Sequence, residues 1–69
     1  MTEKRFISQV NHYRSKGVTV FMAAIQSKVS VMTINRYLRK GYNRNPLKAL
    51  QIVRGFELAL EEEINKINQ

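Results

Sequence analysis

The chain has 69 residues and a formal net charge of +7, from 12 Lys or Arg against five Asp or Glu. It has no cysteine and His12 is its single histidine, which excludes disulfides and thiolate metal sites and leaves no histidine cluster for a metal ion. No apolar run approaches the roughly 20 residues that a membrane-spanning helix needs, and the N-terminal MTEKRF lacks the apolar core of a signal peptide, so we expect one small intracellular domain.

The first predicted helix covers about residues 3–16. Phe6, Val10 and Tyr13 lie at i, i+4 and i+7, so they would share one apolar face. Gly17 follows them, and glycine is the usual residue where a helix ends in a positive φ. We therefore expect helix 1 to end there.

Hydroxyl side chains mark the starts of the next two helices. Thr19 is the expected N-cap for helix 2, which would run through about residue 26. After a short turn with the sequence SKV, Ser30 can cap helix 3 over about residues 31–40. Gly41 is expected to end helix 3.

A fourth segment begins at Asn45, the expected N-cap, and Pro46, whose missing N–H costs nothing at the first helical position. An apolar stripe with helical spacing follows: Ala49, Val53, Phe56, Leu60, Ile64 and Ile67. Gly55 interrupts it at a cost of about 1 kcal/mol relative to alanine, so two alternatives follow: one continuous helix, or a split into helix 4 (46–54) and helix 5 (about 56–67). No segment has strand periodicity. The predicted fold is all-α, a compact domain of four to five helices.

Helix 3 has two distinct faces at 100° per residue. Its predicted core side consists of Val31, Ile34, Tyr37 and Leu38. Another face carries Met32, Asn35, Arg36 and Arg39 at i, i+3, i+4 and i+7, with Lys40 at its margin. In the DNA major groove, Arg can donate two hydrogen bonds to guanine, Asn can pair with adenine and an apolar side chain can touch the thymine methyl. A solvated charged face would carry the same residues.

The order of these elements resembles the helix-turn-helix DNA-binding domains of the Cro and repressor type, often called XRE-like. The resemblance covers about residues 5–56 and includes SKG, AA, VS, TINRYLRKG and NPLKALQIV. It implies a lambda-repressor-like fold in which helices 2 and 3 form the helix-turn-helix and helix 3 enters the major groove.

Two positions depart from this resemblance. The turn normally carries a glycine where this chain has Lys28, and a lysine at positive φ costs on the order of 1 kcal/mol, so a longer or differently shaped turn is an alternative. In helix 2, one alignment places Val20, Ala23 and Ser27 inward and leaves Phe21 and Ile25 partly outward. A shift by one residue puts Met22 and Ala23 in those places and needs a longer turn.

The resemblance implies two groups of DNA contacts. The candidates for base contacts in the groove are Ser30, Val31, Met32, Asn35, Arg36 and Arg39. The candidates for phosphate contacts are Thr19, Lys28, Thr33, Lys40, Tyr42, Asn43 and Arg44.

The charge is distributed unevenly along the chain. Every Lys and Arg except Lys66 lies between Lys4 and Arg54, and that interval contains no acid. Four of the five acids follow it, at 57 and 61–63. A long cationic segment of this kind favours binding to a polyanion. The alternative interpretation is that the basic residues only keep a small protein soluble.

The C-terminal stripe has two readings. Phe56, Leu60, Ile64 and Ile67 could fold back on helix 1, or they could pair with a second subunit. We expect a homodimer, with residues 56–69 as the dimerisation helix, because helices 1–4 already account for the core of a small domain. A dimer would present two recognition helices about one turn of DNA apart.

The leading hypothesis is a small sequence-specific regulator of the Cro type, a repressor that binds double-stranded DNA in the cytoplasm, at the nucleoid. Its size resembles that of phage or plasmid regulators. We expect no cofactor, metal or enzymatic activity, because no nucleophile–base pair or paired-carboxylate site is visible.

Two rivals come from other classes. One is an antirepressor or modulator on the same fold that binds a protein partner through Phe21, Met22 and Ile25 of helix 2. The other is a basic amphipathic membrane binder, which would be unfolded without lipid.

Overall fold

The computed structural model describes residues 2–40 and 45–68 of the chain. These ranges contain four helices: α1 (Glu3–Ser15), α2 (Val20–Ser27), α3 (Val31–Lys40) and α4 (Pro46–Ile67). They contain no strand, which confirms the predicted all-α class. Within the same ranges, none of the helices is both long and apolar enough to cross a membrane.

Side-chain caps set the starts of the helices at the predicted residues. The hydroxyl oxygens of Thr19 and Ser30 accept hydrogen bonds from the backbone N–H groups of Met22 and Thr33, each at 3.1 Å. The side chain of Asn45 accepts from the N–H three residues later, also at 3.1 Å. These bonds satisfy N–H groups that have no partner within the helix. The predicted stop at position 41 lies outside the described residues.

The helix is not split at Gly55: α4 continues through it from Pro46 to Ile67, so the single helix is the alternative that is observed. A Cβ atom at position 55 would lie 2.5 Å from the Cβ of Ser27 and 2.7 Å from the carbonyl oxygen of Ala23. Glycine is therefore present because α2 and α4 approach too closely for any side chain. The packing it permits offsets the helix propensity that it loses.

The core lies where α4 packs against α1 and α2. Its largest fully buried side chains are Phe6, Phe56, Ile34, Ile52 and Val10. The rings of Phe6 and Tyr37 meet edge to face, with their centroids 6.3 Å apart. Tyr13 and Tyr37 both pack against this core, in agreement with their predicted positions on apolar faces.

The structure also resolves the two alternatives for α2. Ala23 and Ser27 are buried, whereas Phe21 is 65% exposed and Ile25 is 60% exposed, so the first of the two alignments is the observed one. Lys28 has a φ of 59° and a ψ of 29°, the left-handed conformation that glycine more often occupies. The connection from α2 to α3 therefore needs no extra residue.

One residue of the predicted core face of α3 is placed differently. Ile34 is buried and Tyr37 and Leu38 are half-buried, but Val31 is exposed. Val29, in the connection that precedes α3, is buried, and it fills the core near the start of the helix. Val31 is thereby left on the surface beside the polar face.

Candidate nucleic-acid interface

The outward face of α3 presents one apolar and three polar side chains to solvent. Met32, Asn35, Arg36 and Arg39 are all exposed, and Met32 is 72% exposed although it is a large apolar residue. They lie on the side of the helix away from the buried Ile34. Hydrogen-bond donors, an amide and an apolar group are thus available together on one helix face.

The first turn of α3 is organised by a hydroxyl pair. The Ser30 hydroxyl accepts from the N–H of Thr33 at 3.1 Å and donates to the hydroxyl oxygen of Thr33 at 2.9 Å. The Ser30 oxygen is therefore engaged in the cap, and the two hydroxyls share one hydrogen bond. This pair fixes the position of Thr33, which is half-buried in the first turn of α3.

Two of the other predicted phosphate contacts are exposed side chains, and the side chains of four lie outside the described part of the chain. Thr19 is exposed at the start of α2 and Lys28 is exposed in the connection to α3. Tyr42, Asn43, Arg44 and the side chain of Lys40 lie outside the described residues.

An arginine from another helix joins the outward face of α3. Arg14, in the last turn of α1, lines a shallow depression together with Met32, Asn35, Leu38 and Arg39. Arg14 is not among the predicted DNA contacts, because periodicity along one helix does not reveal which residues of two separate helices meet. A cation from α1 therefore stands beside three of the predicted base contacts.

The arginines of this surface are not neutralised by acids within residues 2–40 and 45–68. The ion pairs found there all lie on α4: Arg54 with Glu57, and Lys66 with Glu62 at 3.7 Å and Glu63 at 3.5 Å. Arg14, Arg36 and Arg39 have no such partner in the part of the chain that the structure describes. Their charge is available to an anionic ligand.

Comparison with protein-family models, curated protein sequences and solved structures finds no match for this chain. Within the described ranges, no group of three or more His, Asp or Glu side chains is arranged to hold a metal ion.

A second surface lies on α2 and the C-terminal half of α4. Phe21 and Ile25, four residues apart, are exposed on α2. Met22 and Ile25 line a shallow groove with Ala59, and Glu62 and Glu63 lie on its α4 side. The side-chain amide of Gln26 donates to the carboxylate of Glu62 across this groove. This is the position of the three residues predicted to bind a protein partner.

The predicted dimer residues divide into buried and exposed members. Phe56 is fully buried in the core and offers no surface to a second copy, so its assignment to a dimer face is corrected. Leu60 is half-buried, whereas Ile64 is exposed and Ile67 is 80% exposed. Another exposed apolar pair, not predicted from the sequence, lies near the start of α4: Leu47 and Leu50. Their spacing of three residues on a helix was the available signal.

Proposed function

We propose that this chain is a small sequence-specific regulator that binds double-stranded DNA as a homodimer and reads an operator through α3 in the major groove. The observation that carries the proposal is the outward face of α3, where Asn35, Arg36 and Arg39 are exposed around Met32. Arg36 and Arg39 can each donate two hydrogen bonds to guanine, and Asn35 can pair with the edge of adenine. Met32 suits the methyl group of thymine.

The elements around α3 support this use of the helix. Two short helices, α2 and α3, are joined by residues 28–30, which is the arrangement expected of a helix-turn-helix. An α-helix with its side chains is about 10–12 Å across, and the major groove is about 12 Å wide. The exposed face of α3 can therefore enter the groove while its core face stays packed on the domain.

The charge of the chain favours a polyanionic partner. Each phosphate that Lys or Arg neutralises releases counterions condensed on DNA, and this release supplies affinity that falls with salt. Thr19, Lys28 and Thr33 are the described members of the predicted phosphate contacts. The acids of α4 lie at 57 and 61–63, which places the negative charge of that helix in its C-terminal half.

A homodimer would place two copies of α3 on a palindromic site, about 34–36 Å apart. Leu60, Ile64 and Ile67 are the proposed contacts between subunits, since Ile64 and Ile67 remain exposed at the end of α4. Burying them would remove an apolar surface from water. Localisation at the nucleoid and action as a repressor belong to this same proposal.

The test is a comparison between selected and shuffled DNA. Duplexes would be enriched from a random library with the tagged full chain, and their affinity measured by fluorescence anisotropy against shuffled versions. We expect discrimination of at least about a hundredfold, within the usual range for specific binding. Arg36→Ala and Arg39→Ala should each cost about 1–3 kcal/mol on the selected duplex and less on the shuffled one.

Arg54→Ala is the matched control, because Arg54 is exposed on α4 and paired with Glu57 rather than placed on α3. Its discrimination should equal that of the wild type. Equal binding of selected and shuffled duplexes by the wild type would refute sequence-specific recognition and leave only a cationic surface.

A second candidate function rests on the exposure of Phe21 and Ile25, which α2 presents without a covering element in the described structure. In this alternative the chain is an antirepressor or modulator that binds a protein through Phe21, Met22 and Ile25. The two functions make opposite predictions. Phe21→Ala would abolish partner binding in the second, whereas it should leave DNA discrimination unchanged in the first.

A further inference from the structure

Arg14 occupies a defined position relative to the outward face of α3. The depression that it lines contains Asn35 and Leu38 as well as Met32 and Arg39. With 3.6 residues per turn, Asn35 lies about 60° to one side of Met32 and Thr33 about 100° to the other. Because Asn35 and Leu38 are on the same side, Arg14 stands on the flank of α3 opposite Thr33.

The two flanks of a helix in the major groove meet different strands. A helix of about 10–12 Å diameter fills a groove of about 12 Å width, and the walls of that groove are the two phosphate backbones. Side chains at the tip of the outward face reach bases, whereas cations and hydroxyls on the flanks reach phosphates. Thr33, a predicted phosphate contact, lies on the flank toward one wall, and Arg14 supplies a cation for the other.

We propose that Arg14 binds a backbone phosphate on the wall of the groove beside Asn35, so that α1 contributes a DNA contact from outside the helix pair α2–α3. This inference rests on the proposed DNA-binding function and identifies a further residue of the same site. Arg14 has no acidic partner within the described residues, so its guanidinium is free to pair with phosphate. Arg14 lines the same depression as Leu38 and Met32, and a long cationic side chain can cover apolar surface with its stem while its charged end stays in water.

A phosphate contact has a particular thermodynamic signature. It fixes the orientation of the protein on the duplex but carries no sequence information. It also contributes about 0.9 to the slope of log Kobs against log salt concentration. Loss of Arg14 should therefore weaken binding to selected and shuffled DNA alike, and make both less sensitive to salt.

The experiment compares Arg14→Gln, Arg14→Lys and wild type by anisotropy on fluorescein-labelled selected and shuffled duplexes over a range of salt concentrations. Arg14→Gln should lower the magnitude of the slope by about 0.9 on both duplexes and weaken binding about tenfold at 0.1 M salt. Arg14→Lys should retain the slope, because lysine also binds phosphate as a point charge. Thermal melts should coincide, since Arg14 is exposed.

Arg54→Gln is the matched control, because it removes an exposed arginine from α4, and its slope should stay close to that of the wild type. An unchanged slope for Arg14→Gln, with wild-type DNA binding intact, would overturn this inference alone. Loss of discrimination without a change of slope would also overturn it, since Arg14 would then contact a base. A wild type that bound no duplex would overturn the DNA-binding function and this contact together.

Discussion

Gly55 and Ser27 define the closest approach of α4 to α2. A Cβ on residue 55 would lie 2.5 Å from the Cβ of Ser27 and 3.0 Å from its backbone nitrogen. Real Cβ atoms do not come this close to another side-chain carbon, so one helix would have to move if residue 55 had a side chain. Ser27 is the last residue of α2, and residues 28–30 connect it to α3. The contact with Gly55 therefore also helps to fix the position of the N-terminal end of α3, the proposed DNA-binding helix.

Gly55→Ala is expected to destabilise the domain, although alanine is the better helix former. The gain in helix propensity is about 1 kcal/mol, but overpacking a core typically costs about 1–3 kcal/mol. Here the added methyl group would also meet the carbonyl oxygen of Ala23 at 2.7 Å, which cannot rotate away. We expect a net loss of up to about 2 kcal/mol, and each kcal/mol lowers the Tm by about 4–8 °C in a domain of this size.

Asn65→Ala provides the control for Gly55→Ala, since Asn65 is exposed on the same helix. That change should leave stability equal or slightly raised, because alanine has the higher helix propensity. Urea denaturation of both variants would measure the difference. A Gly55→Ala domain as stable as the wild type would mean that α2 and α4 separate without cost.

The boundaries of the helices were predictable because they depend on local chemistry. Thr19, Asn45 and Pro46 identify helix starts through the hydrogen bonds or φ values that they favour, and the structure places them as expected. The effect of Gly55 was not predictable from propensity alone, since its reason is the proximity of Ser27 on another helix. Local signals report what a residue does to its own helix and not what it meets across the core.

The candidate site was likewise predictable where it depends on one helix, and not where it depends on contacts between helices. The exposed face of α3 follows from its 3.6-residue period, so Met32, Asn35 and Arg39 lie together on it as expected. Arg14 joins them only because α1 packs where it does, and no spacing within α1 indicates that. Phe56 was predicted to lie in a dimer interface but is buried in the core. Helical spacing shows that apolar residues share a face, but it does not show whether that face packs within the chain or against a second subunit.

Lys28→Gly is expected to stabilise the domain and weaken DNA binding at the same time. Lys28 has a φ of 59°, and this left-handed conformation costs an L-residue roughly 1–2 kcal/mol. Glycine removes that cost, but it also makes the unfolded chain more flexible, which destabilises the folded state by about 0.4–1 kcal/mol. The net rise in stability should be about 0.5–1 kcal/mol, whereas loss of a predicted phosphate contact should reduce the salt dependence of binding.

Lys16→Gly tests whether the stabilisation comes from backbone conformation. Lys16 is exposed at the end of α1 with a φ of −90°, so no strain is relieved there. Chemical denaturation should show a gain for Lys28→Gly and none for Lys16→Gly. Equal effects of the two changes would contradict the assignment of strain to the α2–α3 connection.

Arg36→Lys should separate the charge of the outward face from its hydrogen-bonding geometry. Lysine keeps the positive charge but lacks the planar pair of donors that matches guanine. We therefore expect the slope of affinity against salt to be retained, while discrimination between selected and shuffled duplexes falls by about 1–3 kcal/mol. Anisotropy on both duplexes measures the two quantities separately. If Arg36→Lys retained its discrimination between selected and shuffled duplexes, Arg36 would contact a phosphate rather than a base.

Substitution of the exposed end of α4 should separate the proposed homodimer into monomers. Ile64→Asp combined with Ile67→Asp introduces charge where the two side chains are exposed in the single chain, so the monomer should remain folded. Desolvating two unpaired carboxylates at an interface is strongly unfavourable. Sedimentation should show monomers, and affinity for a palindromic site should fall further than affinity for one half-site.

Leu47→Asp combined with Leu50→Asp is the matched pair for that experiment, because these leucines are also exposed on α4 but near its start. If the C-terminal end forms the interface, this variant should stay dimeric. Dissociation of the Leu47 and Leu50 variant alone would move the interface to the start of α4. A wild type that sediments as a monomer at all concentrations would contradict the homodimer itself, and recognition would then depend on a single α3 per site.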